Sequence, residues 1–261
     1  MNDSSRSPLK DKPLRMPGQS LEEERAKLFE DKVMPAFLTA AVATIIAVAE
    51  WIRYFTKSPP NPLLYSFLAV IAVGFLIWRV IRLLPRSRAI KQGIEGEKVV
   101  GQFLERLRGQ GYVVFHDLIG SGFNVDHVLI GPAGIYTVET KTWSKPVRGE
   151  AKIKFDGEQI TVSGHEPERD PIIQARAQVA WLRGLLAEST GKQFDVFPVV
   201  VFPGWYIDRT KDGPHDIWVL EPKALPGFLD KIPQRLAPDE IKLASFHLSR
   251  FIRSVERESA K

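Results

Sequence analysis

Hydrophobic residues are spread unevenly along this chain and divide it into two parts with different periodicities. From Val33 to Ala49 no residue is charged, and Trp51-Ile52 carries the apolar run past Glu50. A second run holds no charge from Pro62 to Trp78 and continues through Arg79 and Arg82 to Leu84. Each is close to the ~20 residues that an α-helix needs to cross ~30 Å of hydrocarbon. Trp51, Tyr54, Tyr65 and Trp78 stand near the run ends, where amphipathic rings settle at the headgroup level. The two arginines come late in the second run, where long side chains reach out to water. The pattern predicts a transmembrane helical hairpin over residues 33–84. A cleavable leader is not expected, because the first run begins only after a long charged stretch.

Residues 1–32 are polar and rich in Pro, Ser and charge, so they are expected to form a disordered tail, with a short helix around Leu21–Arg25. After residue 85 the periods change. Ile94, Val99, Val100, Phe103, Leu104 and Leu107 recur at helical spacing, and Gly109 and Gly111 end that helix. Tyr112–Phe115 reads as a strand. Asn124–Ile130 and Ile135–Lys141 read as two more, joined by the turn Gly131-Pro132-Ala133-Gly134. Val147–Phe155 and Gln159–Val162 suggest a second hairpin around Asp156-Gly157. Pro171 opens a helix to about Ser189, and Phe194–Phe202 is apolar throughout, as a buried strand is. Ile217–Leu220 is a further strand. A closing amphipathic helix from Pro238 would turn Ile241, Leu243, Phe246, Leu248, Phe251 and Ile252 inward. Helices and strands in this order predict an α/β domain with a mixed sheet.

Charge changes the picture less than the totals suggest. The 261 residues carry a net +5, but residues 1–85 account for +3 and residues 86–261 for only +2. The basic excess therefore flanks the apolar runs. Arg15, Arg25, Lys27 and Lys32 precede the first run, and Arg86, Arg88 and Lys91 follow the second. The loop from Tyr54 to Asn61 offers only Arg53 and Lys57 at its start. The positive-inside rule then places both termini and the globular domain in the cytoplasm, at the inner membrane of a bacterium. The chain has no cysteine, which excludes disulfides and thiolate metal sites. Neither a phosphate-binding Gly-x-x-x-x-Gly-Lys-Ser/Thr loop nor a Gly-x-Gly-x-x-Gly fingerprint occurs.

The hairpin Asn124–Lys141 carries the candidate chemistry. Closed symmetrically over its four turn residues, it pairs 130 with 135, 128 with 137 and 126 with 139. Asp126 then faces Glu139 with Cβ atoms ~5 Å apart, and Lys141 follows on the same face. Two opposed carboxylates repel unless a cation lies between them. Hard oxygen ligands of this kind suit Mg²⁺ or Mn²⁺, and a neighbouring lysine can hold an attacking water or offset phosphoryl charge. A solvated surface hairpin is the plainer alternative. His127 points to the opposite face and is expected to be a packed histidine, as are His165, His215 and His247. Trp143 either stacks on a base or packs at the strand end.

Three segments together resemble the NERD (nuclease-related) domain: Gly93-Ile94-Glu95-Gly96-Glu97, Asn124–Gly131 and Gly134–Trp143. The resemblance covers residues 90–205 and implies a restriction-endonuclease-like fold of the PD-(D/E)xK superfamily. It further implies Asp126 and Glu139 as metal ligands, Lys141 as the catalytic lysine and Glu97 as an outer carboxylate. Gln174 corresponds to a glutamine on the helix after the core strands. Residues 206–261 are expected to be a strand and helical extension packed on that domain. The function implied is a membrane-anchored, Mg²⁺- or Mn²⁺-dependent nuclease acting on DNA, with RNA as the alternative substrate. Its partners would be nucleic acid and the lipid bilayer. The competing class is a non-catalytic module of nuclease fold that binds nucleic acid or protein, which the near-neutral charge of the domain favours.

Overall fold

A computed structural model describes residues 14–57, 59, 61–120, 122–145, 151–162, 167, 170–209 and 216–259. The chain forms two compact units. One is Ser20–Gln92; the other joins the chain up to Gln19 with Gly93 onward.

The first unit is helical. Helix α1 (Gln19–Leu28) passes through a π-turn, Phe29–Val33, into α2 (Met34–Phe55), and α3 starts at Pro62. Among the described residues, two helices are long and apolar enough to cross a membrane. Their small residues Ala36, Ala40 and Ala47 are buried, whereas Phe37, Leu38, Ile45, Leu63, Phe67 and Val70 point outward. The one acid in the first run is satisfied locally. Glu50 accepts from Arg53 and from the backbone N–H of Asn61.

Two expectations change here. Helix α3 (Pro62–Glu105) is continuous through Pro85, where a break and a fresh start near Gly93 were expected. Residues 85–92 contain no glycine and several strong helix formers, which carry the helix past the one N–H that Pro85 lacks. The disordered tail expected over residues 1–32 is also replaced in part. Residues 14–18 are packed in the globular unit and α1 follows at once; residues 1–13 lie outside the described residues.

The globular unit is a mixed α/β fold on a five-stranded sheet of order β1-β2-β3-β6-β8. Its strands are β1 (Val113–Ile119), β2 (Asn124–Gly131), β3 (Gly134–Thr140), β6 (Val196–Val201) and β8 (Trp218–Leu220). The first three form an antiparallel meander, while β3, β6 and β8 run parallel. The β2–β3 register pairs 130 with 135 and 128 with 137, as the turn sequence requires. A smaller sheet, β5-β4-β7, is built from β4 (Lys152–Phe155), β5 (Ile160–Val162) and β7 (Tyr206–Arg209). The strand expected from Val147 begins instead at Lys152, residues 146–150 lying outside the described residues.

Both faces of the main sheet are covered, so its strands are apolar on both sides. On one face Phe115, Val128, Ile130 and Ile135 pack with Leu182 and Leu186 of α4 (Pro171–Thr190) and Leu248 of α6 (Pro238–Ser259). On the other, Val114, Leu129 and Tyr136 pack with Val100 and Leu104 of α3 and with Leu225 and Leu229 of α5 (Leu225–Leu229). Each fully buried Leu or Ile contributes about 1.5–3 kcal/mol. Helix α4 starts where the sequence signals it: Asp170 caps Ile172 N–H and Pro171 takes the first turn. Strand β8 completes the main sheet and β7 the small one, and α6 packs against the main sheet. Phe246 of α6 is exposed rather than inward. The buried line is Ala244, Leu248 and Ile252, spaced by four, and Phe246 sits half a turn away.

Helix α3 meets the end of β3 at Gly96. A Cβ added there would lie 1.8 Å from Thr142 Oγ1 and 2.8 Å from Thr142 Cβ. Gly96→Ala should therefore lower stability by about 1–3 kcal/mol through overpacking, read as a drop in melting temperature; an unchanged melt would mean that α3 does not approach Thr142 this closely.

Candidate active site

The site forms where β2 and β3 part. Their ladder runs from the turn as far as His127 opposite Val138. Beyond that pair, Asp126 uses its side chain instead of its backbone, and its Oδ2 accepts from Thr140 N–H at 2.7 Å. Lys141 N–H turns to the neighbouring strand and donates to Val201 O at 2.9 Å. The two strands thus diverge one residue before the side chains of Asp126 and Glu139 would meet as a simple cross-strand pair.

Glu139 is almost wholly buried, 2% exposed. Its two oxygens are divided between two cationic or amide donors. Lys141 Nζ lies 2.6 Å from Oε1, and Gln178 Nε2 donates to Oε2 at 2.5 Å. Gln174 Oε1 accepts from Lys141 Nζ at 2.8 Å. Gln178 also donates to Asn124 O at 3.0 Å, tying β2 to the same side chain. Gln174 and Gln178 sit one helical turn apart on α4 and so face the sheet together.

Glu97, on α3, is buried at 8% exposure. Burial is the main cause that pushes its carboxyl up to about 8, with the charges of Asp117 and Glu139 adding to it; a Gly18 N–H and the Lys141 charge oppose the rise. Burial likewise holds Asp126 well above the usual carboxylate range, reinforced by Glu139 and Glu97. These mutual influences place Glu97, Asp126, Glu139 and Lys141 in one electrostatic neighbourhood.

Chemistry of the donor set fits a hard divalent cation. Three carboxyls crowd one another, and Oε1 of Gln178, whose amide holds Glu139, has no hydrogen-bond partner among the described residues. However, among the described residues no group of three or more His, Cys, Asp or Glu side chains is gathered closely enough to hold a metal.

Other expected residues fall outside this neighbourhood. His127 is fully buried and its Nδ1 lies 2.9 Å from Nδ1 of His116, whose Nε2 meets Glu105 Oε1 at 2.9 Å. Burial pushes the affinity of both rings for protons down. Trp143 packs on Phe202, ring centroids 4.9 Å apart. His165 and His215 lie outside the described residues. Sequence reading missed Gln178, although its spacing of four from Gln174 was visible. It also missed Asp117 and Arg15, which form a buried ion pair at 2.7 Å; nothing local links residues 102 apart.

Residues 92–203 match the nuclease-related domain family, NERD, so this stretch of the chain carries such a domain. An uncharacterized protein of Bacillus anthracis is 30% identical over 81 residues, covering 27% of this chain and 38% of that protein. The match therefore spans well under two thirds of the relative. No solved structure matches.

Glu97 gives this site a measurable pH signature. A carboxyl with a higher pKa folded than unfolded binds its proton more tightly in the folded state. Its contribution to stability is complete below pH ~4.5 and is lost as pH rises toward about 8. In EDTA, the protein should lose on the order of a few kcal/mol between pH 5 and pH 9. Glu97→Gln should flatten this loss in denaturant melts, and equal pH slopes in parent and variant would count against the buried placement.

Proposed function

We propose that this chain is a membrane-anchored, Mg²⁺- or Mn²⁺-dependent nuclease that hydrolyses phosphodiester bonds of DNA at the cytoplasmic face of the membrane. RNA is the alternative substrate. The observation that carries this reading is Lys141 held between buried Glu139 and Gln174, beside Asp126. A nuclease-related domain over the same residues supports it. When bound, a divalent cation supplies Lewis-acid polarisation of a phosphate oxygen and a more acidic water. Asp126 and Glu139 would hold it, with Glu97 as the outer carboxylate.

The protein's own groups account for the rest. Lys141 lies 2.6 Å from Glu139 Oε1, and its ammonium can orient a water or offset charge on the phosphate. Gln174 fixes the lysine from α4, and Gln178 fixes Glu139, so both acidic and basic groups are held by one helix. The crowding of Glu97, Asp126 and Glu139 favours binding of positive charge over keeping all three ionised. A second reading, a nuclease-fold module that binds without cleaving, is favoured by the near-neutral charge of residues 86–261.

A cleavage assay on the full chain in detergent separates the two readings. DNA should be nicked or degraded with Mg²⁺ or Mn²⁺, and EDTA should stop it. Lys141→Ala should lower the rate by about 10²-fold or more, and Glu139→Ala and Asp126→Asn should lose activity as well. Binding without any metal-dependent cleavage would establish the second reading, and cleavage unchanged by Lys141→Ala would remove this site from the reaction.

The anchor reading rests on two long helices whose apolar side chains face outward, where a soluble core helix would bury them. Since the chain has no cysteine, a Lys57→Cys variant carries a unique label site. A membrane-impermeant maleimide should modify it in intact spheroplasts, while an Arg88→Cys variant should react only after lysis. The reverse pattern would invert the topology, and full recovery without detergent would remove the anchor.

A further inference from the structure

The globular unit contains a piece of chain that sequence alone assigns to a tail. Arg15, Pro17 and Gly18 are each built into it. Arg15 Nε meets Asp117 Oδ2 at 2.7 Å, with side chains only 6% and 3% exposed. Pro17 lodges against α3 at Gly101, where an added Cβ would come within 2.4 Å of the proline ring. Gly18, at φ +75°, lies over Ile94 and directs its N–H to the carboxyl of Glu97.

Asp117 occupies an unusual place. Its neighbours pair in register, His116 with His127 and Leu118 with Val125, which sets Asp117 opposite Asp126. Its backbone is left-handed, φ +51°, a conformation that aspartate tolerates better than most residues but still at a cost. On both strands the pattern of core-facing residues slips by one at this point: Phe115 and Leu118 face the same core, as do Val128 and Val125. The distortion takes the Asp117 carboxylate to Arg15, and its charge is felt at Glu97.

We propose that Arg15–Gly18 is a strap that positions the carboxylate cluster, with Arg15 a positioning residue that neutralises a fourth carboxylate, Asp117, and so sets how strongly the site attracts a divalent cation. The inference rests on the metal-site reading above. Without Arg15, Asp117 adds negative charge beside Asp126 and Glu97. Without Asp117, the same neighbourhood becomes one charge more positive. The two losses act in opposite directions on cation affinity, whereas a strap that only supports the fold would weaken binding in both cases.

Thermal melts of the full chain in detergent, titrated with Mn²⁺, read this directly and need no activity. In the parent, Mn²⁺ should raise the melting temperature with a definite midpoint concentration. Arg15→Gln should lower that midpoint about fivefold, Asp117→Asn should raise it by a similar factor, and the double variant should return close to the parent. Should either single variant fail to fold, Arg15→Lys, which keeps the charge, should retain the parental midpoint. Shifts of the same sign in both single variants, no shift in either, or an Arg15→Lys midpoint far from the parent would overturn the role of Arg15. No Mn²⁺ effect on the parent would instead overturn the metal site, and this inference with it.

Discussion

A carboxylate buried at the end of a sheet is the constraint around which this domain is arranged. Glu139 lies under α4 at the point where β3 leaves its antiparallel partner. An isolated ionised carboxylate there would cost several kcal/mol. Every nearby feature answers that cost: the Lys141 ammonium on one oxygen, the Gln178 amide on the other, and Gln174 steadying the lysine. The fit of α4 over the sheet is thus polar at its N-terminal end and apolar farther on, through Leu182 and Leu186. The same helix that closes the core also holds the charged groups in register.

Crowding extends the constraint to the opposite side of the sheet end. Glu97 comes from α3, and Asp126 from the strand that has begun to part from β3. Their carboxyls favour the protonated form because water is excluded and like charges are close. The raised carboxyl of Glu97, about 8, keeps a proton at neutral pH in this crowded setting.

The hairpin was legible because its period and turn leave only one register. Gly131-Pro132-Ala133-Gly134 fixes the pairing, and the alternation then puts Glu139 and Lys141 on the face that α4 covers. The flat cross-strand meeting of Asp126 with Glu139 was not legible in detail. Pairing rules assume a ladder that continues, and here Asp126 ends it by bonding Thr140 N–H with its side chain. Helix α3 was read as two because the apolar run ends at Leu84 and a new helical repeat begins near Gly93, although the residues between them sustain one helix. Gln178 could have been found from its spacing to Gln174. The Arg15–Asp117 pair could not: a polar, proline-rich stretch has the composition of a tail, and no local signal reports a partner beyond two apolar helices.

The order of synthesis gives that pairing a further meaning. Arg15 leaves the ribosome 102 positions ahead of Asp117. At about 5–20 residues per second, Arg15 waits about 5–20 s for its partner. During that interval both apolar helices are made. The Arg15–Asp117 pair can close only on a chain whose apolar hairpin has already been translated.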